Sequence, residues 1–470
     1  MEFKVGFIRG DSVDDNVEYR DNLPVNMYSI PSQKFGSPGY VINYYGLTSF
    51  ATGEGIDRGG IWVSRSGLEG HYRVSGNSLI SIDSSGNTTV LGSIPGSDQV
   101  SMDYSFNNLA IVADGKLYYY NPDAGFRQIT DPEVGSPIDL VWVDGYFFLT
   151  DGENIYHSNI LNEELYEPLD FSNAQFIPDS SRGLGKNDDN EVLVFGEFST
   201  EYFINTGNEN FAFQRITRKA QKIGIVGTHA KAEMSARYYI LGRRVETAPS
   251  LHVISIGNEQ SFSTREIDKI IAEYTESDLE SITIDAYKRD NISFVKIHLP
   301  RHTLLFNEPI AQSLGIEYAW TILKSDVLGD LTYRAKNVVF DPRNGDWLIG
   351  DKRDGSVGVM SEENCTHYGQ IAEWLLYTAF LKLETLSVNS LEMETIPGIA
   401  PDNDATVFIS QTVNGRTYGK EYIQVYGENL DYNQRFRVRN MGYIRDWVGY
   451  KFRGASRSRM SFCNLVLDAS

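Results

Sequence analysis

Short runs of alternating apolar and polar residues fill most of the chain, and glycine-containing turns separate them. In Asn108-Leu-Ala-Ile-Val-Ala-Asp-Gly-Lys-Leu-Tyr-Tyr-Tyr120, β-branched and aromatic residues flank an Asp-Gly pair, which predicts a hairpin with a two-residue turn. The run from Gly145 to Tyr156 repeats this pattern around Asp151-Gly152. The periodicity of two, the 28 Tyr, 24 Phe and 42 Gly all favour an all-β fold.

Turns of this kind recur at fairly regular distances of about 37 to 54 residues. Four-stranded propeller blades repeat at about 40–50 residues, and propellers close with about 4–8 blades. We therefore predict a β-propeller, with seven blades over residues 41–365. A set of unrelated hairpins in two sandwiches is the alternative, because no repeated signature such as Trp-Asp accompanies the turns. The turns lie at Gly76-Asn77, Asp114-Gly115, Asp151-Gly152, Phe198-Ser199, Val245-Glu246, Leu299-Pro300 and Asp354-Gly355.

One segment near residues 264–282 has helical spacing instead. Ser263-Thr-Arg-Glu266 matches a capping box, and apolar residues follow it at Ile267, Ile270, Ile271 and Tyr274. A second box is present at Thr275-Glu-Ser-Asp278. We predict a helical insertion between two blades whose apolar stripe packs on a neighbouring blade.

Longer strand patterns follow residue 365 and predict a C-terminal domain resembling a β-sandwich over 366–470, with a loop at 396–404. At the other end, residues 1–40 combine several acids with three prolines. An extended N-terminal arm lying on the rest of the fold, or on another subunit, accounts for this composition. The residues concerned are Asp11, Asp14, Asp15, Glu18, Asp21, Pro24, Pro31 and Pro38.

Composition and charge narrow the functional classes. Hydrophobic residues make up 41% and charged residues 22% of the 470 residues, which is typical of globular proteins. The net charge of -21 argues against wrapping nucleic acid through the whole surface. Two cysteines, Cys365 and Cys463, build neither a disulfide scaffold nor a zinc module. We expect a soluble protein of a reducing compartment, without a secretory signal or membrane-spanning segment.

Catalytic and metal-binding motifs do not stand out. The sequence has no phosphate-binding loop, dinucleotide fingerprint or Gly-x-Ser-x-Gly elbow. His298 and His302 have the spacing of a helical metal pair, but Pro300 between them favours a structural turn. With 63 acids, no pair is singled out for glycoside hydrolysis. We therefore predict no catalytic residue, cofactor or metal. The acidic clusters favour turns over calcium sites, at Asp188-Asp189, Asp402-x-Asp404 and Asp341-Pro-Arg-Asn-Gly-Asp346.

Basic residues concentrate near the C-terminus of this acidic chain. Residues 435 to 459 contain eight basic residues and a single acidic residue, Asp446. Arg435, Arg437 and Arg439 alternate, which places them on one face of a strand. A solvated strand face and a docking patch for an acidic partner or DNA both fit, and nearby aromatic residues are typical of interfaces. The candidate interface residues are Arg435, Arg437, Arg439, Tyr443, Arg445, Trp447, Lys451 and Arg453.

A series of short strings gives a family resemblance that runs nearly end to end. In this order, the strings are similar to those of packaged-DNA stabilisation proteins of short-tailed phages, also called tail accessory factors or tail hubs. Leu-Pro-Val-Asn-Met and His-Leu-Pro-Arg-His are specific in combination. The strings are Leu23-Pro-Val-Asn-Met27, Gln99-Val-Ser-Met102, Ser199-Thr-Glu-Tyr-Phe203, Gln221-Lys-Ile-Gly224, Lys269-Ile-Ile-x-x-Tyr-Thr275, Ile297-His-Leu-Pro-Arg-His302, Trp320-Thr-Ile-Leu-Lys324, Gly350-Asp-Lys352, Gly442-Tyr-Ile-Arg445 and Gly449-Tyr-Lys-Phe-Arg453.

The resemblance implies a structural protein of the virion tail, assembled in the host cytoplasm, with no enzymatic activity or cofactor. It implies a homohexameric ring below the portal and its adaptor ring that retains packaged DNA and attaches the tail needle and the tailspikes or fibres. If acidic residues line the lumen, DNA passes without sequence-specific binding. A propeller glycosidase or lectin acting on a surface polysaccharide, and a cellular propeller scaffold, are the alternatives.

Overall fold

A computed structural model of the chain describes residues 2–5, 23–32, 36–174, 176–395, 405–428, 430, 432–433 and 435–470. The acids expected in the N-terminal arm between Asp11 and Asp21, the loop 396–404, and Asp402 and Asp404 lie outside these residues. The N-terminal strands are β1 (Glu2–Val5), β2 (Met27–Ile30), β3 (Tyr40–Asn43) and β4 (Gly46–Thr52).

Seven sheets, antiparallel except for one parallel pairing to β4 in the last one, then follow one another through the described residues, which confirms the seven-bladed propeller. The first four blades are β5 to β8 (Asp57–Val63, Gly70–Ser75, Ser78–Ile82, Thr88–Ser93), β9 to β12 (Ser101–Tyr104, Leu109–Ala113, Lys116–Asn121, Gly125–Gln128), β13 to β16 (Asp139–Val143, Tyr146–Thr150, Ile155–Ser158, Tyr166–Ser172) and β17 to β20 (Ser181–Lys186, Glu191–Gly196, Thr200–Asn205, Phe213–Arg215).

The last three blades complete the circle. They are β21 to β24 (Lys231–Met234, Arg237–Gly242, Ser250–Ser255, Asn258–Ser261), β25 to β29 (Thr283–Arg289, Ile292–His298, Thr303–Asn307, Trp320–Asp326, Leu331–Thr332), and a seventh blade of β30 (Ala335–Asp341), β31 (Asp346–Asp351), β32 (Ser356–Ser361) and β4, extended by β33 (Thr366–His367) and β34 (Gln370–Ile371). Short 3₁₀ turns lie at Pro132–Val134, Thr217–Lys219 and Ile316–Tyr318.

All seven predicted turns join the second and third strands of a blade. This equivalent position explains why their spacing revealed the repeat. Asp114 and Gly115 have φ of 47° and 70°, which is the left-handed pair that a two-residue type I′ turn requires. At Asp151, however, four residues separate β14 from β15, because the Asp151 carboxylate accepts hydrogen bonds from the amides of Glu153 and Asn154 and forms a wider turn.

The helical insertion lies between β24 and β25, as α1 (Arg265–Ile271) and α2 (Glu276–Glu280). Thr264, not Ser263, caps the first helix, since its side chain accepts from the Ile267 amide while Ser263 bonds Asp268. The capping box at Thr275 is present. The buried isoleucines of α1 join a core cluster between the fifth and sixth blades, so the stripe packs on blades. A third helix, α3 (Glu308–Ser313), follows β27.

The C-terminal domain is a sandwich of two antiparallel sheets. One sheet has the order β1-β43-β37-β40, and the other has the order β35-β41-β38-β39, with β36 paired to β41. Their inner faces enclose a separate core cluster that includes Trp374, Phe436 and Phe462. The strands are β35 (Trp374–Tyr377), β36 (Leu381–Lys382), β37 (Leu386–Met393), β38 (Thr406–Thr412), β39 (Tyr422–Val425), β40 (Phe436–Ile444), β41 (Trp447–Gly454), β42 (Ser461–Phe462) and β43 (Leu465–Ala469).

The motif at residues 23–27 joins the propeller to the sandwich. Val25 forms β-bridges both to Ile322 in the sixth blade and to Leu375 in β35. The Asn26 side chain donates to the carbonyls of Lys324, at 2.8 Å, and Glu373, at 2.6 Å. Downstream, β2 pairs with β3, and β3 pairs with β42. The N-terminal segment is therefore a buried seam between the two folds.

Strand β4 closes the propeller as the outer neighbour of β32 in the seventh blade. On the inner side, a buried polar network joins the first and seventh blades. Arg73 donates to the Asp57 carboxylate at 2.7 Å and to the Asn337 carbonyl at 2.6 Å, and the Asn337 amide donates to Asp57. Arg73 is fully buried. These contacts connect the first blade to the seventh and so close the propeller. Elsewhere, apolar clusters between adjacent blades hold the propeller together.

Buried histidines make the fold sensitive to acid. Burial lowers the pKa of His298 and His367 to about 3 and that of His229 to about 4, and nearby Arg334 also lowers the pKa of His367. The folded state therefore binds fewer protons than the unfolded state below pH 6.5. Their contribution to stability is present above pH 6.5 and is lost as pH falls towards these folded-state values.

We expect His367→Gln to flatten this pH dependence. Each histidine that is buried in its neutral form lowers the free energy of unfolding by up to about 1.4 kcal/mol for every pH unit below 6.5. Urea unfolding between pH 6.5 and 4.5 should therefore show a slope of unfolding free energy against pH that is smaller by about that amount in the variant. An unchanged slope would show that His367 takes up its proton without cost.

Candidate functional site

The basic residues of 435–459 divide between the two sheets of the sandwich. Strand β40 forms an edge of the first sheet, next to β37, whereas β41 lies inside the second sheet between β35 and β38. The outer faces of a sandwich point in opposite directions. The structure therefore does not bring all eight candidate residues into one patch.

Arg435, Arg437 and Arg439 lie along the outer face of β40, as their alternation predicts. Arg435 is bidentate on Glu392, at 2.5 and 2.6 Å, although its side chain is largely exposed. Arg437 is half-buried and donates to Ser390 Oγ at 2.7 Å. Arg439 is exposed, and it forms no ion pair within the described residues. Within the described residues, Arg439 is thus the exposed arginine of this row whose charge meets no carboxylate.

The corner between β40 and β41 presents a second group. Tyr443 is 58% exposed, and Arg445 is also exposed. Backbone carbonyls of Arg445 and Asp446 accept hydrogen bonds from the amides of Thr385 and Leu383, which holds the corner in place. Trp447 is half-buried under the Lys382 ammonium. Tyr443 and Arg445 are thus exposed on a corner whose backbone is fixed by hydrogen bonds.

The basic residues of the second sheet are engaged within the chain. Lys451 lies over the Tyr418 ring, and Arg453 donates to Glu373 at 2.8 Å and to Glu421 at 3.0 Å. Further along, Arg459 donates to Tyr28 and to the Asn43 carbonyl, close to the joint with the propeller. These residues stabilise the sandwich and its attachment to the propeller. They are poorly placed to meet a partner.

An exposed apolar edge of the second sheet was not anticipated. Strand β39 pairs with β38 on one side, and no described strand covers its other side. Ile423 is 70% exposed, and Tyr422 and Val425 are also exposed. Leu430 and Tyr432, which follow in the chain, are exposed as well. We call these five residues the sandwich edge. Unpaired strand edges with apolar side chains are typical of protein interfaces.

A second apolar surface lies at the rim of the third blade. Leu169 and Phe171 project from the outer strand β16, and Ile160, Leu161 and Leu165 are exposed in the loop before it. We call these residues the blade-three edge. A cavity of about 240 Å³ opens beside it, lined by Phe171, Tyr156 and His157 among others. Sequence periodicity identifies such strands, but it does not reveal which strand lies at a sheet edge.

The deeply buried carboxylates of the described residues have cationic partners within the chain. The deeply buried acids Asp57, Asp139 and Asp351 pair with Arg73, Lys231 and Arg334, respectively. No group of three or more His, Cys, Asp or Glu side chains in this part of the chain has the arrangement of a metal site.

His298 and His302 lie at the two ends of the turn between β26 and β27, as predicted from Pro300. His298 contacts Asp285 at 2.9 Å, while His302 contacts Tyr274 in the helical insertion. The two rings therefore have different side-chain partners, at opposite ends of the turn. Among the described helices, none has the length and apolar character needed to cross a bilayer.

Comparison with known proteins gives matches over nearly the whole chain. The family model described as "Bacteriophage P22 Gp10, beta-propeller" matches residues 3–365, and "Bacteriophage P22 Gp10, beta-sandwich" matches residues 373–470. A curated relative, "Tail hub protein gp10" of Salmonella phage P22, is 28% identical over 471 residues, covering 96% of each chain. Fold and matches together define a phage protein built from a β-propeller and a β-sandwich.

The chain belongs to the bacteriophage P22 Gp10 family. Solved structures give weaker similarities. The extracellular domain of BT4673 from B. thetaiotaomicron has a TM-score of 0.44 at 10% identity, covering 67% of this chain and 39% of that one. A streptogramin B lyase has a TM-score of 0.42 at 11% identity, covering 70% and 99%.

Proposed function

We propose that this chain is a structural tail-hub subunit of a phage virion. Membership of the P22 Gp10 family, with a curated relative named tail hub protein that matches end to end, carries this proposal. The two exposed apolar edges support it, because a protein that works by assembly must present surfaces for other proteins. The propeller supplies the blade-three edge, and the sandwich supplies the sandwich edge.

In this proposal, six copies form a ring below the portal and its adaptor ring in the virion tail, after assembly in the host cytoplasm. The ring retains packaged DNA and attaches the tail needle and the tailspikes or fibres. The net charge of -21 supports a mostly acidic lumen, since like-charge repulsion lets DNA slide without sequence-specific binding. A basic lumen in an assembled ring would refute the proposal that DNA slides through by like-charge repulsion.

The role is non-enzymatic and needs no cofactor. A propeller glycosidase requires two carboxylates converging on a pocket. The deeply buried carboxylates named above are instead engaged by cations, and in the case of Asp139 the cation, Lys231, comes from the fifth blade. A lectin or glycosidase acting on a surface polysaccharide remains the competing function, and turnover of a polysaccharide by the purified chain would establish it.

Charge reversal at Arg439 together with Tyr443→Ala tests the basic face of β40. Arg437 is excluded because its contact with Ser390 supports the sheet. We expect the double variant to fold normally and to assemble on particles that lack this chain about tenfold less efficiently, since both side chains are exposed and Arg439 has no ion pair among the described residues.

The matched control is Arg218→Glu, a charge reversal at an exposed residue outside the strands. Assembly is measured by the restoration of DNA-filled, infectious particles and by the mass of the complex. If the double variant assembles as well as the control, Arg439 and Tyr443 have no part in the interface. Failure of the unmodified chain to join such particles would contradict the tail-hub role itself.

A further inference from the structure

Polar residues of four blades meet at one mouth of the propeller channel. Gln99 and His229 directly precede the inner strands β9 and β21, and Lys336 lies in the inner strand β30. Lys336 Nζ donates to Gln99 Oε1 at 3.2 Å, and the His229 side chain is hydrogen-bonded to the Gln99 backbone. In the sixth blade, the inner-strand residue Asp285 faces Lys296. Because these contacts connect the second, fifth and seventh blades, the residues lie across the channel from one another.

The cations at this mouth outnumber their carboxylate partners. Asp139 pairs with Lys231 at 2.7 Å. Asp285 is shared between Lys296, at 3.5 Å, and His298, at 2.9 Å. Lys336 and Lys352 have no carboxylate within 4.0 Å in the described residues, and the nearest contact of Lys352 Nζ is Thr303 Oγ1 at 3.5 Å. The mouth therefore has surplus positive charge inside a strongly acidic chain.

The ammonium groups are also poorly solvated. Lys296 is fully buried, and its Nζ makes no hydrogen bond within the described residues. Burial lowers the pKa of Lys352 to about 7, with further lowering by Lys336 and Lys296 that Asp285 only partly offsets. Lys336 and Lys352 nevertheless remain partly accessible to solvent, so an ion can approach them from the channel.

We propose that this channel mouth binds a small inorganic oxyanion of the phosphate class. A tetrahedral oxyanion accepts charge-assisted hydrogen bonds on several oxygens, which suits the ammonium groups of Lys336 and Lys352, since Lys336 in β30 and Lys352 just after β31 are close neighbours on paired backbone. It would neutralise like charges that now repel one another. The phosphates of duplex DNA need an exposed basic surface. Lys336 and Lys352 are half-buried, so a free ion is the ligand.

Calorimetric titration with inorganic phosphate, in chloride buffer at constant ionic strength, tests the site. We expect saturable binding and a rise in melting temperature of roughly 2–4 °C at saturation. Phosphate should raise the pKa of Lys352, which also faces Arg353 and Asp285. Binding near pH 7.5 should therefore take up protons and give heats that vary with the ionisation enthalpy of the buffer.

Lys352→Gln and Lys336→Gln should each weaken phosphate binding by about tenfold or more. Lys116→Gln is the matched control, at an exposed position in β11, and should bind normally. In chloride alone at pH 6, where Lys352 is protonated, Lys352→Gln should raise the melting temperature, because it removes like-charge repulsion. No saturable response in the unmodified chain would overturn the proposal. Equal responses in the control and in either channel variant would also overturn it, and Lys336→Gln suffices if Lys352→Gln does not fold.

Discussion

Ile423→Asp is expected to abolish ring assembly while leaving the single chain folded. Ile423 is 70% exposed at the centre of the sandwich edge, so the substitution costs the monomer little. In an assembled interface, the same aspartate would be a buried and unpaired charge. Such a change costs about 2–4 kcal/mol per contact, which weakens each association roughly 30- to 1000-fold. Because every copy in a ring repeats the contact, the ring should be lost.

The control for this experiment is Val90→Asp, which places the same charge on an exposed apolar residue of β8, outside both edges. Native mass measurement and incorporation into particles lacking the chain report assembly, and circular dichroism reports folding. If Ile423→Asp assembles as well as Val90→Asp, the sandwich edge is not an interface. The blade-three edge would then be the remaining apolar candidate, tested in the same way with Leu169→Asp.

Arg73→Ala is expected to lower the free energy of unfolding by about 3–5 kcal/mol. The substitution leaves Asp57 buried without its cation and removes the hydrogen bond to the Asn337 carbonyl, at the point where the first blade meets the seventh. Urea unfolding at pH 7 measures the loss. Arg218→Ala, at an exposed position, should change the unfolding free energy by less than about 0.5 kcal/mol. If both substitutions changed the free energy of unfolding by the same amount, the network around Arg73 would not stabilise the closure of the propeller.

Local sequence patterns predicted much of the propeller because each blade repeats the same hairpin. The turns from Gly76 to Asp354 occupy one equivalent position, so their spacing measured the repeat. What the pattern could not supply was the long-range pairing. Nothing near β4 in the sequence shows that it closes a blade begun at Ala335, and nothing near Asn26 shows that its side chain joins two folds.

The interaction surfaces were less predictable for the same reason. The excess of basic residues at 435–459 is visible in the sequence, but their partners are distant in the chain. Glu392 engages Arg435, and Glu373 and Glu421 engage Arg453. In the same way, Tyr422-Ile-Gln-Val425 has the composition of an interior strand. Only the order of strands in the sheet shows that β39 lies at the edge with Ile423 exposed.

The most direct test of the assembly role is a cryo-EM reconstruction of the virion that carries this chain. We predict six copies in a ring below the portal, with Ile423 and the rest of the sandwich edge covered by a neighbouring protein. Absence of the chain from the tail, or a tail position without sixfold arrangement and with both apolar edges bare, would contradict the account.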